Sequence, residues 1–396
     1  MVESVAIVGA SLVGIRTAEA LRRHGFEGRL TMIGAEDESP YDRPPLSKQF
    51  LSDDWDEDKL ALCRNGIEEL GAEWRLGIRA NSLDSQTRTL ALADGSSTQA
   101  DAIVLATGMR ARRLPFGRDL NGVLELRSLS DARSLRAALT SATSVVIVGA
   151  GFIGMEVAAS CRKKGLEVSV VEPLDAPLVR GLGALLGERV ATRHREEGVV
   201  FHLGVGVESF EGEGSVSGVC LTNGVRLDAD IVVVGVGAVP DTEWLESSDL
   251  KMDNGILCDA KGATNQAGIF AVGDCARWEN ARYRDRPRFE HWTSAVEQSD
   301  VVAQAISRGE VEAHAPVPYV WSDQFDLRIA IAGEHRPEDE MHVCLGSVEE
   351  GRFLALFERD GKLVSAVAFG RPRQLNASRR MIAEGVDFRE AVAEFA

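Results

Sequence analysis

The residues in this chain best suited to chemistry are a glycine-spaced turn that occurs twice. Val5-Ala6-Ile7-Val8 is a short apolar run of the kind found in a buried parallel strand. It meets Gly9-Ala10-Ser11-Leu12-Val13-Gly14, after which an amphipathic helix is predicted to about His24. In such a βα turn Gly9 permits the tight bend and Gly14 lets the helix pack closely on the strand. The unpaired N–H groups and positive dipole of the helix start then suit a pyrophosphate. Ser11 stands where a second glycine is usual, and its small side chain still lets a phosphate come near. A second strand is predicted over 29–33, and Glu36 follows it at the separation where a carboxylate accepts hydrogen bonds from ribose hydroxyls.

The second occurrence carries all three glycines. Val145-Val146-Ile147-Val148 leads into Gly149-Ala150-Gly151-Phe152-Ile153-Gly154, then a helix, then a strand over 167–171 that ends at Glu172. A carboxylate at Glu172 suits the free 2′-hydroxyl of NAD and repels the 2′-phosphate of NADP, and no arginine immediately follows it. NADH is therefore expected over NADPH. Two such turns in one chain predict two bound dinucleotides, and hydride chemistry between FAD and a nicotinamide is the obvious use.

Two strand–turn–helix units need a chain of matching size. At 396 residues, with domains of ~100–200 residues each, two or three units are expected. Apolar residues at 44% and charged residues at 27% match an ordinary globular protein, and no run approaches the ~20 apolar residues that span a bilayer. The opening Met1-Val2-Glu3-Ser4 has no cationic stretch and its apolar run leads into a glycine turn, so a cytoplasmic location is expected. From Ala313 onward the pattern changes to strand-like runs over 328–332, 353–359 and 362–369 and a helix-like run over 374–384. A net charge of −17 argues against non-specific nucleic-acid binding. The six cysteines stand singly, with no metal-ligand spacing alongside the seven histidines, so no metal site is expected.

Between and after the two turns lie Leu105-Ala106-Thr107-Gly108, Gly235-Val236-Gly237-Ala238-Val239-Pro240, and Ile269-Phe270-Ala271-Val272-Gly273-Asp274-Cys275-Ala276. In this order they resemble the markers of the two-dinucleotide flavoprotein superfamily that includes glutathione reductase. That resemblance implies FAD on the first turn, NAD(P)H on the second, and Asp274 on the ribityl and phosphate part of the flavin. Pro40-Tyr41-Asp42-Arg43-Pro44-Pro45-Leu46-Ser47-Lys48 is similar to the signature of the ferredoxin reductases that serve Rieske dioxygenases and cytochrome P450 systems. Its adjacent prolines fix φ and remove donors, holding the backbone rigid where a flat isoalloxazine could lie. Glu290-His291-Trp292 and Pro318-Tyr319-Val320-Trp321-Ser322-Asp323-Gln324 extend the resemblance over essentially the whole chain.

The resemblance implies a catalytic ion pair, Lys48 with Glu156, near the flavin and the nicotinamide. The flavin site would draw on Gly9, Ser11, Val13, Gly14, Ala35, Glu36, Arg43, Pro44, Lys48, Ala80, Ala106, Thr107, Gly108, Arg127, Gly273, Asp274, Glu290, His291 and Trp292. The NADH site would draw on Gly149, Gly151, Phe152, Ile153, Gly154, Glu172, Gly235, Val236 and Gly237. Ala35 stands where some relatives carry the ribose acid, so that role passes to Glu36; Asp241 replaces a common asparagine. The expected fold class is α/β, with two Rossmann-like domains and a C-terminal α+β domain. The FAD domain would be residues 1–110 with 241–312, the NAD domain 111–240, and the third domain 313–396.

The implied activity is hydride transfer from NADH to flavin N5, then single-electron transfer to a [2Fe–2S] ferredoxin, with Trp321 lining the exit path. Arg110, Arg112 and Arg113, or Arg371, Arg373, Arg379 and Arg380, would supply a basic docking patch. A disulfide- or peroxide-type reductase would need a redox cysteine beside the flavin, and the segment 40–51 contains none. An NADH:rubredoxin reductase uses nearly the same parts, and a slow-turnover flavin-holding signalling protein like apoptosis-inducing factor shares the fold.

Overall fold

Ser4–Val8 and Ser144–Val148 are both β-branched, apolar runs with no polar side to turn outward, so each is stable only between other strands and beneath covering helices. The computed structural model, which describes residues 2–63, 66–117, 119–283, 286–309 and 311–395, places each at the centre of a parallel sheet. The chain divides into two compact units. The first comprises Met1–Asp42, Leu60–Arg110 and Val239–Tyr319; the second comprises Arg43–Lys59, Ala111–Ala238 and Val320–Ala396.

In the first unit the parallel sheet runs in the order Ile269–Ala271, Ala102–Leu105, Ser4–Val8, Arg29–Ile33, Glu73–Arg75. Helix Leu12–Arg23 follows the central strand and packs against helix Trp292–Arg308, where the Ser299 hydroxyl donates to the Val13 carbonyl at 3.1 Å. The helix Leu12–Arg23 ends with Arg22 and Arg23 in its last turn, where cations complement the dipole. The Arg22 guanidinium also donates to the carbonyls of Phe26, Gly28, Leu70 and Gly71, tying that helix end to the loops around it. A three-stranded antiparallel sheet, Ala80–Asp84, Thr89–Leu92 and Ser97–Gln99, completes this unit's main elements.

In the second unit the parallel sheet runs Val199–Leu203, Glu167–Glu172, Ser144–Val148, Ile231–Val234, Val123–Leu124. Helix Phe152–Lys163 follows its central strand, and helix Leu129–Ala138 is opened by a capping box between Ser128 and Asp131. A five-stranded sheet closes the chain in the order Tyr319–Gln324, Leu327–Gly333, Lys362–Phe369, Arg352–Arg359, Glu340–Ser347, with helices Pro372–Glu384 and Phe388–Ala393 packed on it. The fold is therefore α/β, two Rossmann-like parallel sheets with a C-terminal α+β portion. Within the C-terminal portion, the strand Glu340–Ser347 and the helix Phe388–Ala393 lie outside the runs that the sequence pattern marked. Among the described residues no helix is long and apolar enough to cross a membrane.

Candidate active site

In the first unit the glycine turn is tight because backbone meets backbone. A Cβ on Gly9, whose φ is +116°, would lie 2.1 Å from the Ala106 carbonyl oxygen, and one on Gly14 would lie 1.9 Å from the Gly9 carbonyl oxygen. Ala106 belongs to the Leu105-Ala106-Thr107-Gly108 segment, so the first fingerprint and that segment form one crossing point. Ser11 caps helix Leu12–Arg23 with no side-chain hydrogen bond, which leaves the first-turn N–H groups to a ligand such as a phosphate. Glu36 accepts a hydrogen bond from the Tyr41 hydroxyl, and Ala35 lies beside it. Ala80 is buried at the start of its strand.

The Gly-Asp segment lies in the same unit. Gly273 donates its N–H to the Gln298 side-chain oxygen at 2.8 Å, and Asp274 sits in the short turn Gly273–Cys275 with Arg288 donating to its carbonyl at 3.2 Å. Arg288 also pairs with Glu290 at 2.8 Å. Burial pushes the His291 imidazole down to about 4, with the Asp274 charge pulling the other way, so His291 is neutral at pH 7. The Trp292 indole N–H donates to the Asp42 carboxylate at 3.2 Å. Asp241 accounts for the replaced asparagine: its N–H donates to the Gly108 carbonyl at 3.0 Å, its carbonyl accepts from the Thr107 hydroxyl at 2.8 Å, and its carboxylate pairs with Arg79 at 3.3 Å.

The second unit repeats the turn. A Cβ on Gly149 would lie 2.4 Å from the Gly235 carbonyl oxygen, and one on Gly154 would lie 2.2 Å from the Gly149 carbonyl oxygen. At Gly151 the same Cβ would meet nothing within 4 Å. The middle glycine thus borders open space where the outer two are walled by backbone, which is the shape a pyrophosphate needs. Phe152 and Ile153 open the helix, and Ile153 is exposed. Glu172 accepts from the Ala150 N–H at 2.8 Å and from the Leu174 N–H at 3.1 Å, so its carboxylate is held at the turn with lone pairs to spare. Gly235, Val236 and Gly237 follow the neighbouring strand Ile231–Val234.

The segment Arg43–Lys59 belongs to this second unit and carries the proline turn. Arg43 donates to the Arg127 carbonyl at 2.7 Å, and Pro44 begins the short turn Pro44–Ser47. Farther along, Arg133 grips Glu57 through two hydrogen bonds of 2.8 and 2.6 Å, while Arg136 and Lys164 both pair with Asp53. The Lys164 and Arg136 pairs hold the Asp53 carboxyl below the usual range. These contacts fix the segment whose first turn, Pro44–Ser47, ends at Lys48. The Lys48 ammonium donates to Glu156 at 2.9 Å, and Glu156 is 5% exposed on helix Phe152–Lys163. Two hydroxyls complete its partners: Ser47 donates to Oε2 at 2.5 Å and Ser322 to Oε1 at 2.7 Å.

Ser47, Ser322 and the buried Gln324 and His194 behind them were not singled out by the sequence as site residues. Ser322 and Gln324 alternate along strand Tyr319–Gln324 and so share a face, a placement that only the strand assignment makes visible. Of the basic residues, Arg110 pairs with Glu243 and Arg113 with Glu125 at 3.1 Å, which offsets their charge. All six cysteines are unpaired thiols; burial raises Cys161 to about 12 and pushes Cys258 and Cys275 up, so these three are poor nucleophiles and poor redox partners.

The pyridine nucleotide-disulphide oxidoreductase model matches residues 3–299, and the reductase C-terminal model matches residues 319–394. Rhodocoxin reductase of Rhodococcus erythropolis is 36% identical over 383 residues, covering 96% of this chain and 89% of that protein. The ferredoxin–NAD(+) reductase subunit of the benzene 1,2-dioxygenase system of Pseudomonas putida is 37% identical, covering 96% of this chain and 93% of that protein. In three dimensions the chain matches putidaredoxin reductase in its covalent complex with putidaredoxin, with a TM-score of 0.94, 29% identity, and coverage of 99% of this chain and 98% of that one. Two backbone-walled glycine cradles and near-full-length likeness agree: the chain belongs to the pyridine nucleotide-disulphide oxidoreductase family.

Proposed function

We propose that this protein is an NADH-dependent, FAD-containing ferredoxin reductase that supplies electrons, through a [2Fe–2S] ferredoxin, to an oxygenase of the Rieske or cytochrome P450 kind. The observation that carries this reading is the pair of glycine cradles, one in each unit, in a chain over a third identical to a dioxygenase-system reductase across nearly its whole length. FAD, when bound, accepts electrons in pairs from a nicotinamide and releases them singly to an iron–sulfur centre.

The chain's own residues bind and orient. Gly9, Ser11, Val13 and Gly14 would take the FAD pyrophosphate at the helix start, Glu36 its ribose, and Asp274 its ribityl chain. Ala35, Arg43, Pro44, Ala80, Ala106, Thr107, Gly108, Arg127, Gly273, Glu290, His291 and Trp292 would line the remainder. Gly149, Gly151, Phe152, Ile153 and Gly154 would take the NADH pyrophosphate, with Gly235, Val236 and Gly237 beside it, and Glu172 would accept from the adenosine ribose hydroxyls. Lys48 would present a cation that stabilises negative charge on the reduced flavin, and Glu156 would hold that cation in place. Residues 1–110 with 241–312 would form the FAD domain, 111–240 the NAD domain and 313–396 the third, and the enzyme would work in the cytoplasm.

The test is anaerobic stopped-flow mixing of the purified holoprotein with NADH or NADPH, then with a panel of [2Fe–2S] ferredoxins and a rubredoxin. Rapid bleaching of the flavin by NADH and reoxidation by a ferredoxin is the expected result. Bleaching that no iron–sulfur protein reverses would overturn the partner, and reversal by rubredoxin alone would reassign it.

A further inference from the structure

The Lys48–Glu156 pair ends a longer buried chain that begins in the C-terminal sheet. Ser322 donates to Glu156 at 2.7 Å, Gln324 Nε2 donates to the Ser322 oxygen at 3.0 Å, and His194 Nε2 lies 2.9 Å from Gln324 Oε1. Ser322, Gln324 and His194 are at most 1% exposed. Ser322 and Gln324 are two apart on strand Tyr319–Gln324 and so share a face, while His194 lies on helix Val179–Glu196.

The direction of this chain is fixed by proton counting. A serine hydroxyl has one proton, and a 2.7 Å contact with a carboxylate requires that Ser322 spend it on Glu156. Ser322 must then accept from Gln324, which turns the amide nitrogen towards the serine and the amide oxygen towards His194. His194 must therefore donate from Nε2. Its Nδ1 is buried without a hydrogen-bond partner, where a lone pair costs less than a stranded N–H. Burial pushes His194 down to about 4, which keeps the ring neutral at pH 7 and consistent with a single proton on Nε2. Every donor in the chain thus points at the Glu156 carboxylate.

We infer that Ser322, oriented by Gln324 and His194, is a positioning residue for the Lys48–Glu156 pair, its hydroxyl fixing the carboxylate that in turn fixes the lysine ammonium. Without Ser322 the Oε1 atom keeps only Lys48, and the carboxylate is free to swing about the Ser47 contact on Oε2. The inference rests on the reading of Lys48 and Glu156 as part of the reaction centre.

The holoenzyme variants S322A and S322T, with Q324L, test it. S322A should lower kcat for NADH-driven reduction of ferricyanide roughly tenfold, the scale of one charge-assisted hydrogen bond, while KM for NADH stays within about twofold. S322T, which returns the hydroxyl, should restore most of the rate, and Q324L should fall between. An S322A enzyme as fast as wild type, or an S322T enzyme as slow as S322A, would overturn the inference. An independent readout is the long-range 15N–1H spectrum of histidine-labelled wild-type protein, with His194 assigned through H194Q. A proton on Nε2 supports the directed chain, and one on Nδ1 overturns it. If NADH fails to reduce the wild-type flavin at all, the proposed function falls, and the histidine spectrum still decides the direction of the relay.

Discussion

At the residue scale the proposed nucleotide selectivity rests on one carboxylate, Glu172. Glu172 accepts from the Ala150 and Leu174 amides and has remaining lone pairs that, in the proposed function, would take a ribose. Glu172→Gln keeps one acceptor for the turn but removes the negative charge that repels a 2′-phosphate. It should therefore lower kcat/KM for NADH by about tenfold and raise that for NADPH, with the melting temperature little changed, as steady-state kinetics on both nucleotides would show. A preference ratio unmoved by the substitution would leave selectivity to residues other than Glu172. Glu172 was legible in the sequence because it stands where a strand ends after a glycine turn. Ser322 was not, because nothing in its local sequence says that a residue so far along the chain meets Glu156.

At the scale of elements, the two strand–turn–helix units are built alike, yet their glycines are not interchangeable. Gly154 is walled by the Gly149 carbonyl, while Gly151 borders open space. Gly154→Ala should force strand and helix apart and cost a few kcal/mol of stability, seen as a lower urea midpoint. Gly151→Ala should leave that midpoint unchanged and raise KM for NADH severalfold, because the added methyl occupies only the volume a phosphate would enter. Equal loss of stability in both variants would contradict this division of roles. The strands over 328–332, 353–359 and 362–369 were legible from their apolar runs and appear as Leu327–Gly333, Arg352–Arg359 and Lys362–Phe369. Glu340–Ser347 escaped notice because, as the last strand of its sheet, it has no fully buried residue and carries Glu340, His342, Gly346 and Ser347 among its apolar residues.

Across the whole molecule, acid should act first through buried neutral groups. His194 in the unfolded chain titrates near 6.5 and in the folded protein at about 4, because burial outweighs the Gln324 hydrogen bond and the Glu197 charge, with Arg193 adding to the burial. Between those values the unfolded chain binds more protons, so stability rises with pH there. His194 thus contributes its full share above pH ~6.5, and that share, about 3 kcal/mol, is lost progressively as the pH falls towards 4. Urea midpoints from pH 7.5 to 4.5 should decline through this window, with a shallower decline in H194Q; parallel curves would remove His194 from the account.

Read alone, the sequence determined the fold class, the two dinucleotide turns and the absence of a cysteine from residues 40–51, because these depend on local spacing and on which residue types can bend, pack or react. Tertiary structure alone decided which polar groups share a buried carboxylate. Ser47, Lys48, Glu156, Ser322, Gln324 and His194 come from four separate stretches, and only folding removes the water that would otherwise satisfy each of them, making their mutual hydrogen bonds obligatory.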